Sequence, residues 1–103
     1  MSEVLKVIVK RVGEDPVVEE VENRLGALQD LVGGYLEAVT IATDMCVLVD
    51  EEGLLNGRKY NCDVCNYPLF GTVVLVGVDG ENFVDCPIGL DWAERWGLFR
   101  RKR

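Results

Sequence analysis

The N-terminal segment of the chain predicts a β-hairpin. Between Val4 and Val12 apolar side chains occupy roughly every second position, the period of a strand with one buried face. A Gly-Glu-Asp-Pro turn cluster follows, and Val17–Glu22 predicts the second strand. The glutamates of this second strand make it acidic, which is common for the edge strand of a sheet.

A short helix is predicted over about 24–32. Asn23 is a favourable N-cap residue, leucines recur at helical spacing after it, and the pair Gly33-Gly34 ends the helix. We expect the leucine stripe of this helix to pack on the sheet.

Four further apolar runs predict strands, and the run at Val73–Val78 is apolar on both faces, which favours a central position. These strands are Tyr35–Ala42, Met45–Val49, Gly71–Asp79 and Phe83–Val84. Residues 54–69 predict an irregular segment, and Asp91 is predicted to cap a short C-terminal helix. The order predicts an α+β fold: a mainly antiparallel sheet of about six strands with the helices on one side. A single domain is predicted over 1–96, followed by a basic tail over 97–103.

Charge is distributed unevenly along the chain. The 103 residues carry a net charge of −7, yet the last nine positions hold five basic residues and no acid. Residues 1–94 therefore hold six basic and eighteen acidic residues, a net charge of −12. Such a body repels phosphate backbones, which argues against nucleic-acid binding by it and favours a protein partner with a basic groove. The basic tail predicts a solvated terminus, with contact to nucleic acid or to the acidic face as the alternatives.

The composition excludes several classes of function. The chain contains no histidine, which removes most acid–base, triad and metallohydrolase chemistry, and it carries no phosphate-binding or dinucleotide motif. We therefore predict that it is not an enzyme. No apolar run approaches the roughly 18–20 residues that span a bilayer, and no basic region followed by an apolar one opens the chain. These features predict a cytoplasmic protein that does not contact a membrane.

Three segments carry the motifs of a known family. They are Gly26–Val39 (GALQDLVGGYLEAV), Val47–Gly53 (VLVDEEG) and Gly71–Gly77 (GTVVLVG). Over residues 3–90 the chain resembles a family of small acidic domains of unknown function from phages, plasmids and other bacterial mobile elements. The resemblance implies a mobile-element accessory protein inside a bacterial cell, and it supplies no catalytic residues. The chain departs from the family within 54–69, where a Cys-x-x-Cys motif follows an Asn-Gly-Arg segment.

The four cysteines support a structural zinc site as one hypothesis. Cys62 and Cys65 have the spacing with which two thiolates converge on one metal, and Cys46 and Cys86 would complete a four-thiolate Zn²⁺ site. Such a site would close segment 54–69 onto the sheet. The alternative is that the cysteines are core and loop residues, which suits Cys46 within its apolar run. Because we expect a reducing compartment, stable disulfides are not predicted.

The candidate partner-binding residues are two groups of acids and the residues around the cysteine pair. Glu20 and Glu22 share one face of a strand about 6.6–6.8 Å apart, and rows of carboxylates can imitate a phosphate backbone. Tyrosine and arginine are over-represented at binding hot spots. The acids are Glu19, Glu20, Glu22, Asp50, Glu51 and Glu52, and the other candidates are Arg58, Lys59, Tyr60 and Tyr67. A solvated edge strand and a mobile surface loop are the alternatives.

Aromatic residues recur at helical spacing near the C-terminus. Trp92, Trp96 and Phe99 predict a stripe that covers the core, and a partner-binding patch is the alternative.

Three functional hypotheses follow from these features. The first is a phage or mobile-element accessory protein that binds another protein, specifically one that inhibits a host defence nuclease (anti-CRISPR or anti-restriction type) through its acidic surface. The second is a zinc-binding interaction module with the four-cysteine site. The third is a protein that sequesters a small ligand or nucleotide signal, for which Arg58 and Lys59 would supply local positive charge.

Overall fold

The computed structural model describes residues 4–53 and 55–100, and it confirms the predicted α+β fold. A six-stranded sheet, a separate two-stranded sheet and two short helices make up the domain. In chain order the elements are β1 (Val4–Lys10), β2 (Val17–Glu22), α1 (Leu25–Val32), β3 (Leu36–Ala42), β4 (Met45–Asp50), β5 (Tyr60–Val64), β6 (Tyr67–Phe70), β7 (Val73–Asp79), β8 (Asn82–Val84) and α2 (Leu90–Arg95).

Strands β4 and β7 form the centre of the main sheet. Its order is β2-β1-β7-β4-β3, every neighbouring pair is antiparallel, and β8 pairs with the last residues of β7 beside β1. All six residues of β4 and the first five of β7 are buried. A strand that is covered on both faces needs apolar residues at nearly every position, which explains the two continuous apolar runs. The prediction of a central strand at 71–79 is confirmed.

Helix α1 covers one face of this sheet. Leu28 and Val32 are its buried side chains, and they pack among residues from β1, β4 and β7. Burying a side chain of this size stabilises the fold by roughly 1.5–3 kcal/mol. The strand residues in this layer are Leu5, Val7, Val9, Cys46, Leu48, Val74 and Val76.

The opposite face is covered by the β5–β6 hairpin and α2, which corrects two predictions. Residues 54–69 are not irregular throughout, because β5 and β6 pair as a second sheet. The helices lie on opposite faces rather than on one side, since Ala93 and Leu90 of α2 join the core that faces away from α1. The strand residues of this layer are Ile8, Met45, Val47, Val49, Cys62, Val64, Leu69, Val73 and Leu75.

Both predicted helix caps are wrong by one or two positions. Arg24, not Asn23, occupies the capping position of α1, and its side chain makes no capping hydrogen bond. Gly89 occupies the capping position of α2, which places Asp91 inside the first turn. A carboxylate there still interacts favourably with the positive end of the helix dipole.

The chain beyond residue 96 continues the fold for four residues. Leu98 and Phe99 pack against the core beneath the hairpin. Arg100 forms an antiparallel bridge with Asp63 of β5, in which the Arg100 N–H donates to the Asp63 carbonyl at 2.9 Å. Residues 98–100 thus contact the domain, and the rest of the predicted tail, 101–103, lies outside the described residues.

A buried polar pair joins the hairpin to the main sheet. Asn61 of β5 is 1% exposed, and its Nδ2 donates to the carbonyls of Lys10 and Gly71 at 2.7 and 2.8 Å. Lys10 is 5% exposed, and its Nζ donates to Asn61 Oδ1 and to the Arg11 carbonyl, both at 2.9 Å. Every oxygen and nitrogen of the Asn61 amide therefore has a partner, which a buried amide needs.

Replacing Asn61 with alanine is expected to lower the free energy of unfolding by about 2–4 kcal/mol, because it leaves two carbonyls and the Lys10 ammonium under-satisfied. Chemical denaturation measures the effect. Asn82→Ala is the matched control, since Asn82 is exposed on β8, and a change within about 0.5 kcal/mol is expected there. Equal effects of the two substitutions would contradict this role of Asn61.

Candidate functional site

The acids of β2 divide between the two faces of the sheet. The register with β1 places Glu19 on the α1 face and confirms that Glu20 and Glu22 share the other face. Glu19 accepts two hydrogen bonds from Arg11, which hold the pKa of its carboxyl below the usual value. Glu22 forms an ion pair with Arg24 at 3.1 Å. Of the three, Glu20 is thus the acid without an ion pair to another described residue.

Asp50 is buried, and its predicted role as a surface contact is therefore corrected. It is 5% exposed, and its carboxylate accepts hydrogen bonds from the Glu52 backbone N–H, Asn56 Nδ2 and Arg58 Nε at 3.0–3.1 Å. Burial opposes ionisation, but these hydrogen bonds outweigh it and hold the pKa of Asp50 below its usual value. Glu51 and Glu52 are exposed, and their role as partner contacts stays a prediction.

Arg58 fastens the C-terminal end of α1 to the sheet. Its Nε donates to Asp50, and its Nη2 donates to the carbonyl of Gly33, the C-cap residue of α1. The carboxylate also packs directly on Gly34, where a Cβ atom would lie 2.6 Å from Asp50 Oδ1. Arg58 therefore has a structural partner within the chain, which its sequence position did not reveal.

The other candidates around the cysteine pair lie on or beside the β5–β6 hairpin. Lys59 and Tyr67 are exposed. Tyr60 is half-buried, because its ring packs edge-on against Phe70 at 5.9 Å and its hydroxyl donates to Asp63 Oδ1 at 3.0 Å. Lys59 and Tyr67 are thus more accessible to a partner than Tyr60.

A group of exposed acids around one depression was not predicted from the sequence. Asp79, Glu81 and Asp85 border a depression of about 690 Å³ at the β7–β8 turn, with Phe83 as its partly buried apolar wall. The exposed Asp44 lies beside them, because its carbonyl accepts a hydrogen bond from the N–H of the residue before Asp79. We call Asp44, Asp79, Glu81 and Asp85 the acidic end.

The acidic end is assembled by the topology. The β3–β4 turn and the β7–β8 turn lie at the same end of the sheet, because β4 and β7 pair antiparallel, with Met45 opposite Gly77. Glu51, Glu52 and the β1–β2 turn lie at the other end. The candidate acids that are close together in the sequence are therefore spread over the sheet. In the acidic end, by contrast, Asp44 and Asp79 lie near each other although 35 positions separate them in the sequence.

The four cysteines are separated by the main sheet. Cys46 lies in the α1 layer, whereas Cys62 and Cys86 lie in the opposite layer. Burial raises the pKa of the Cys46 thiol to about 11 and also raises that of Cys86. Within residues 4–53 and 55–100, no three His, Cys, Asp or Glu side chains are grouped to hold a metal ion. The residues thus do not fit a four-thiolate site in this arrangement, and zinc binding stays a prediction.

The Cys-x-x-Cys motif forms the end of the β5–β6 hairpin. Val64 pairs with Tyr67, and the two residues between them have positive φ values, 51° at Cys65 and 65° at Asn66. Two positive φ values define a type I′ turn, whose twist matches that of the strands. Cys62 is buried in its strand and Cys65 is exposed at the turn, so the spacing reflects hairpin geometry.

The predicted aromatic stripe holds only for Phe99. Phe99 packs against the core, whereas Trp92 and Trp96 expose 48% and 51% of their surfaces. The two indoles meet edge to face, with ring centroids 5.3 Å apart.

A family model confirms the resemblance to a family of unknown function. The model described as Domain of unknown function (DUF3846) matches residues 5–96, from the second residue of β1 to the residue after α2. The chain belongs to the DUF3846 family. No curated protein and no solved structure matches this DUF3846 domain significantly. Among the described residues of the domain, neither helix has the length and apolar character needed to cross a membrane.

Asp50→Asn in this DUF3846 domain is expected to lower the free energy of unfolding at pH 7 by about 1–3 kcal/mol, since the amide cannot replace all the bonds of the carboxylate. The folded-state pKa of Asp50 is depressed, so its contribution is full above the unfolded value of about 3.9 and is lost as the pH falls through the lower folded value. The difference between wild type and variant should therefore be constant above about pH 5 and shrink below about pH 4.

Denaturation curves across this pH range test the expectation. Glu51→Gln is the control, because Glu51 is the exposed neighbour. A constant difference down to pH 2 for Asp50→Asn would contradict the role of its charge.

Thiol labelling of the native DUF3846 domain is expected to modify Cys65 first, because Cys65 is exposed, Cys86 is half-buried, and Cys46 and Cys62 are buried. Mass spectrometry after brief treatment with a thiol reagent identifies the modified residues. The Cys65→Ser variant supplies the control, since the first label should then disappear. Labelling of Cys62 at the rate of Cys65 would show that the hairpin does not hold Cys62 in the core.

Proposed function

We propose that this domain acts by binding a basic surface of another protein through its acidic end. The observation that carries the proposal is the exposure of Asp79, Glu81 and Asp85 around one depression with Phe83 in its wall. Carboxylates of one sign around a concave surface attract a cationic partner and speed its association. An apolar wall adds surface to bury once the partner is in place.

The ion pairs of the described residues support this choice of surface. Three ion pairs occur within 4–53 and 55–100, and they engage Glu19, Glu22 and Asp50. Each of these acids was a candidate contact, and each is instead engaged within the domain. None of these three ion pairs involves Asp44, Asp79, Glu81 or Asp85, although the Asp85 carboxylate accepts a hydrogen bond from the Lys6 backbone N–H at 2.8 Å. The acidic end also lies in a part of the chain with a net charge of −12 over residues 1–94.

The partner class in this proposal is a nucleic-acid-binding groove, specifically that of a host defence nuclease. Such grooves carry the positive charge that neutralises phosphates, and a rigid array of carboxylates competes for it. A mobile-element setting, which the resemblance implies, belongs to the same proposal. The domain would act as an inhibitor that blocks nucleic-acid entry and would need no catalytic residue of its own.

A panel of restriction and CRISPR nucleases tests the proposal by DNA cleavage with and without the domain. The triple variant Asp79→Asn, Glu81→Gln, Asp85→Asn is expected to weaken inhibition at least about tenfold at low salt, since close charge pairs across interfaces contribute about 1.5 kcal/mol or more each. Inhibition by the wild type should also fall steeply as the salt concentration rises.

The matched control removes three exposed acids from the opposite end of the sheet. It combines Glu14→Gln, Glu51→Gln and Glu52→Gln and changes the net charge equally. Equal losses in the two triple variants would show that net charge, rather than the acidic end, carries inhibition. Absence of inhibition across the panel, or inhibition that is insensitive to salt, would overturn the proposal.

A further inference from the structure

The segment between β4 and β5 contains the one Asn-Gly dipeptide of the sequence, at Asn56 and Gly57. Both residues are exposed. Gly57 has a φ of 72°, and beyond its chain neighbours no heavy atom of a described residue lies within 4 Å of the position that a Cβ atom would take. Because glycine has no side chain to shield its backbone nitrogen, this nitrogen can approach the carboxamide carbon of the preceding residue. An exposed Asn-Gly turn therefore holds both reacting groups of a deamidation.

The side chain of Asn56 also belongs to the hydrogen-bond network around Asp50. Its Nδ2 donates to Asp50 Oδ2 at 3.1 Å, and the same oxygen accepts a hydrogen bond from Arg58 Nε at 3.1 Å. Asp50 is buried, and its hydrogen bonds hold its pKa below the usual value, so it is ionised at neutral pH. The network thus needs a donor at position 56, because a carboxylate there would face a buried carboxylate at hydrogen-bond distance.

We propose that Asn56 is a site of spontaneous deamidation and that the reaction releases the end of α1 from Asp50. Hydroxide removes the proton of the Gly57 nitrogen, which attacks Asn56 Cγ. The new N–Cγ bond forms, the Cγ–Nδ2 bond breaks, and the departing nitrogen takes a proton from water and leaves as ammonia. Water then opens the resulting succinimide at one of its two carbonyls and leaves aspartate or isoaspartate at position 56. Water is the only co-reactant, and nothing is oxidised or reduced.

Either product disturbs the end of α1. Aspartate replaces a hydrogen-bond donor with a second negative charge beside Asp50, and the two carboxylates then compete for Arg58. Isoaspartate also adds a methylene group to the main chain next to the 2.9 Å hydrogen bond from the Arg58 N–H to the Gly53 carbonyl. Because Arg58 donates to the carbonyl of Gly33, the C-cap residue of α1, the loss of its contact with Asp50 loosens the helix end.

The hydrogen bond to Asp50 sets the pace of the reaction in the folded chain. The attack needs conformers in which the Asn56 carboxamide has left Asp50, and the exposure of Asn56 to water permits this local opening. The inference is independent of the proposed binding function. Asp50 is the last residue of β4, whereas the acidic end lies where β4 begins.

Peptide mapping by mass spectrometry tests the site. The full chain is incubated in mildly alkaline buffer and sampled over time. Asn56 is expected to convert to aspartate and isoaspartate before Asn66 or Asn82, which are also exposed but precede a tyrosine and a phenylalanine. The rate should rise about tenfold for each pH unit, because the deprotonated fraction of the Gly57 nitrogen does so. Gly57→Ala should slow the conversion, since a methyl group shields the nitrogen.

Substitutions measure the consequence separately from the reaction. Asn56→Asp reproduces the charge of one product and is expected to lower the midpoint of chemical denaturation at neutral pH, because it places two carboxylates together. Asn82→Asp is the matched control. It adds the same charge at an exposed position of β8 and should leave the midpoint unchanged.

Two results would overturn the inference. One is conversion of Asn56 in the folded chain that is no faster than conversion of Asn66 and Asn82. If Asn56 reacts first only in denaturant, the hydrogen bond to Asp50 protects the site, and the inference fails in that case too. The other result is an equal denaturation midpoint for Asn56→Asp and Asn82→Asp, which would show that a carboxylate at position 56 leaves the end of α1 in place.

Discussion

The fold depends on a sheet whose two central strands are apolar on both faces. Every residue of β4 except Asp50 is apolar, and such a strand exposes hydrophobic surface to water unless both sides are covered. Helix α1 covers one side, and the β5–β6 hairpin with α2 covers the other. The domain is therefore three layers thick, and each outer layer is held by a polar network at the margin of the sheet.

These two networks have the same design. Asp50 and Arg58 hold the end of α1, and Lys10 and Asn61 hold the start of the hairpin. In each network, a side chain at the end of a strand of the main sheet is hydrogen-bonded to a residue from the segment that covers one face of that sheet. Such pairs are costly to break when buried, because the remaining partner is left without its hydrogen bonds. These polar pairs fix the position of each outer layer on the sheet. Apolar contacts alone would define that position less well.

The strands of the main sheet could be predicted from the sequence because each has its own local pattern of apolar and polar residues. Alternation in β1 and continuous apolar runs in β4 and β7 are set by the number of faces each strand buries. The β5–β6 hairpin could not be predicted from such a local pattern. Asn61 and Asp63 interrupt its apolar positions, a register shift follows Tyr60, and a Cys-Asn pair rather than Asn-Gly forms its turn. The acidic end could not be predicted from the sequence either, because only the pairing of β4 with β7 brings Asp44 close to Asp79.

The strand order also has a consequence for synthesis of the chain. The strand that joins the two halves of the sheet, β7, begins at Val73, after both hairpins that it unites have been made. During synthesis, the inner edges of β1 and β4 therefore have no pairing partner in the sheet until β7 has been made. Such non-local pairing folds slowly, and the unpaired edges are prone to aggregation in the meantime. The six-stranded sheet can thus form only after residue 79 has been made, and exposed inner edges before that point favour aggregation.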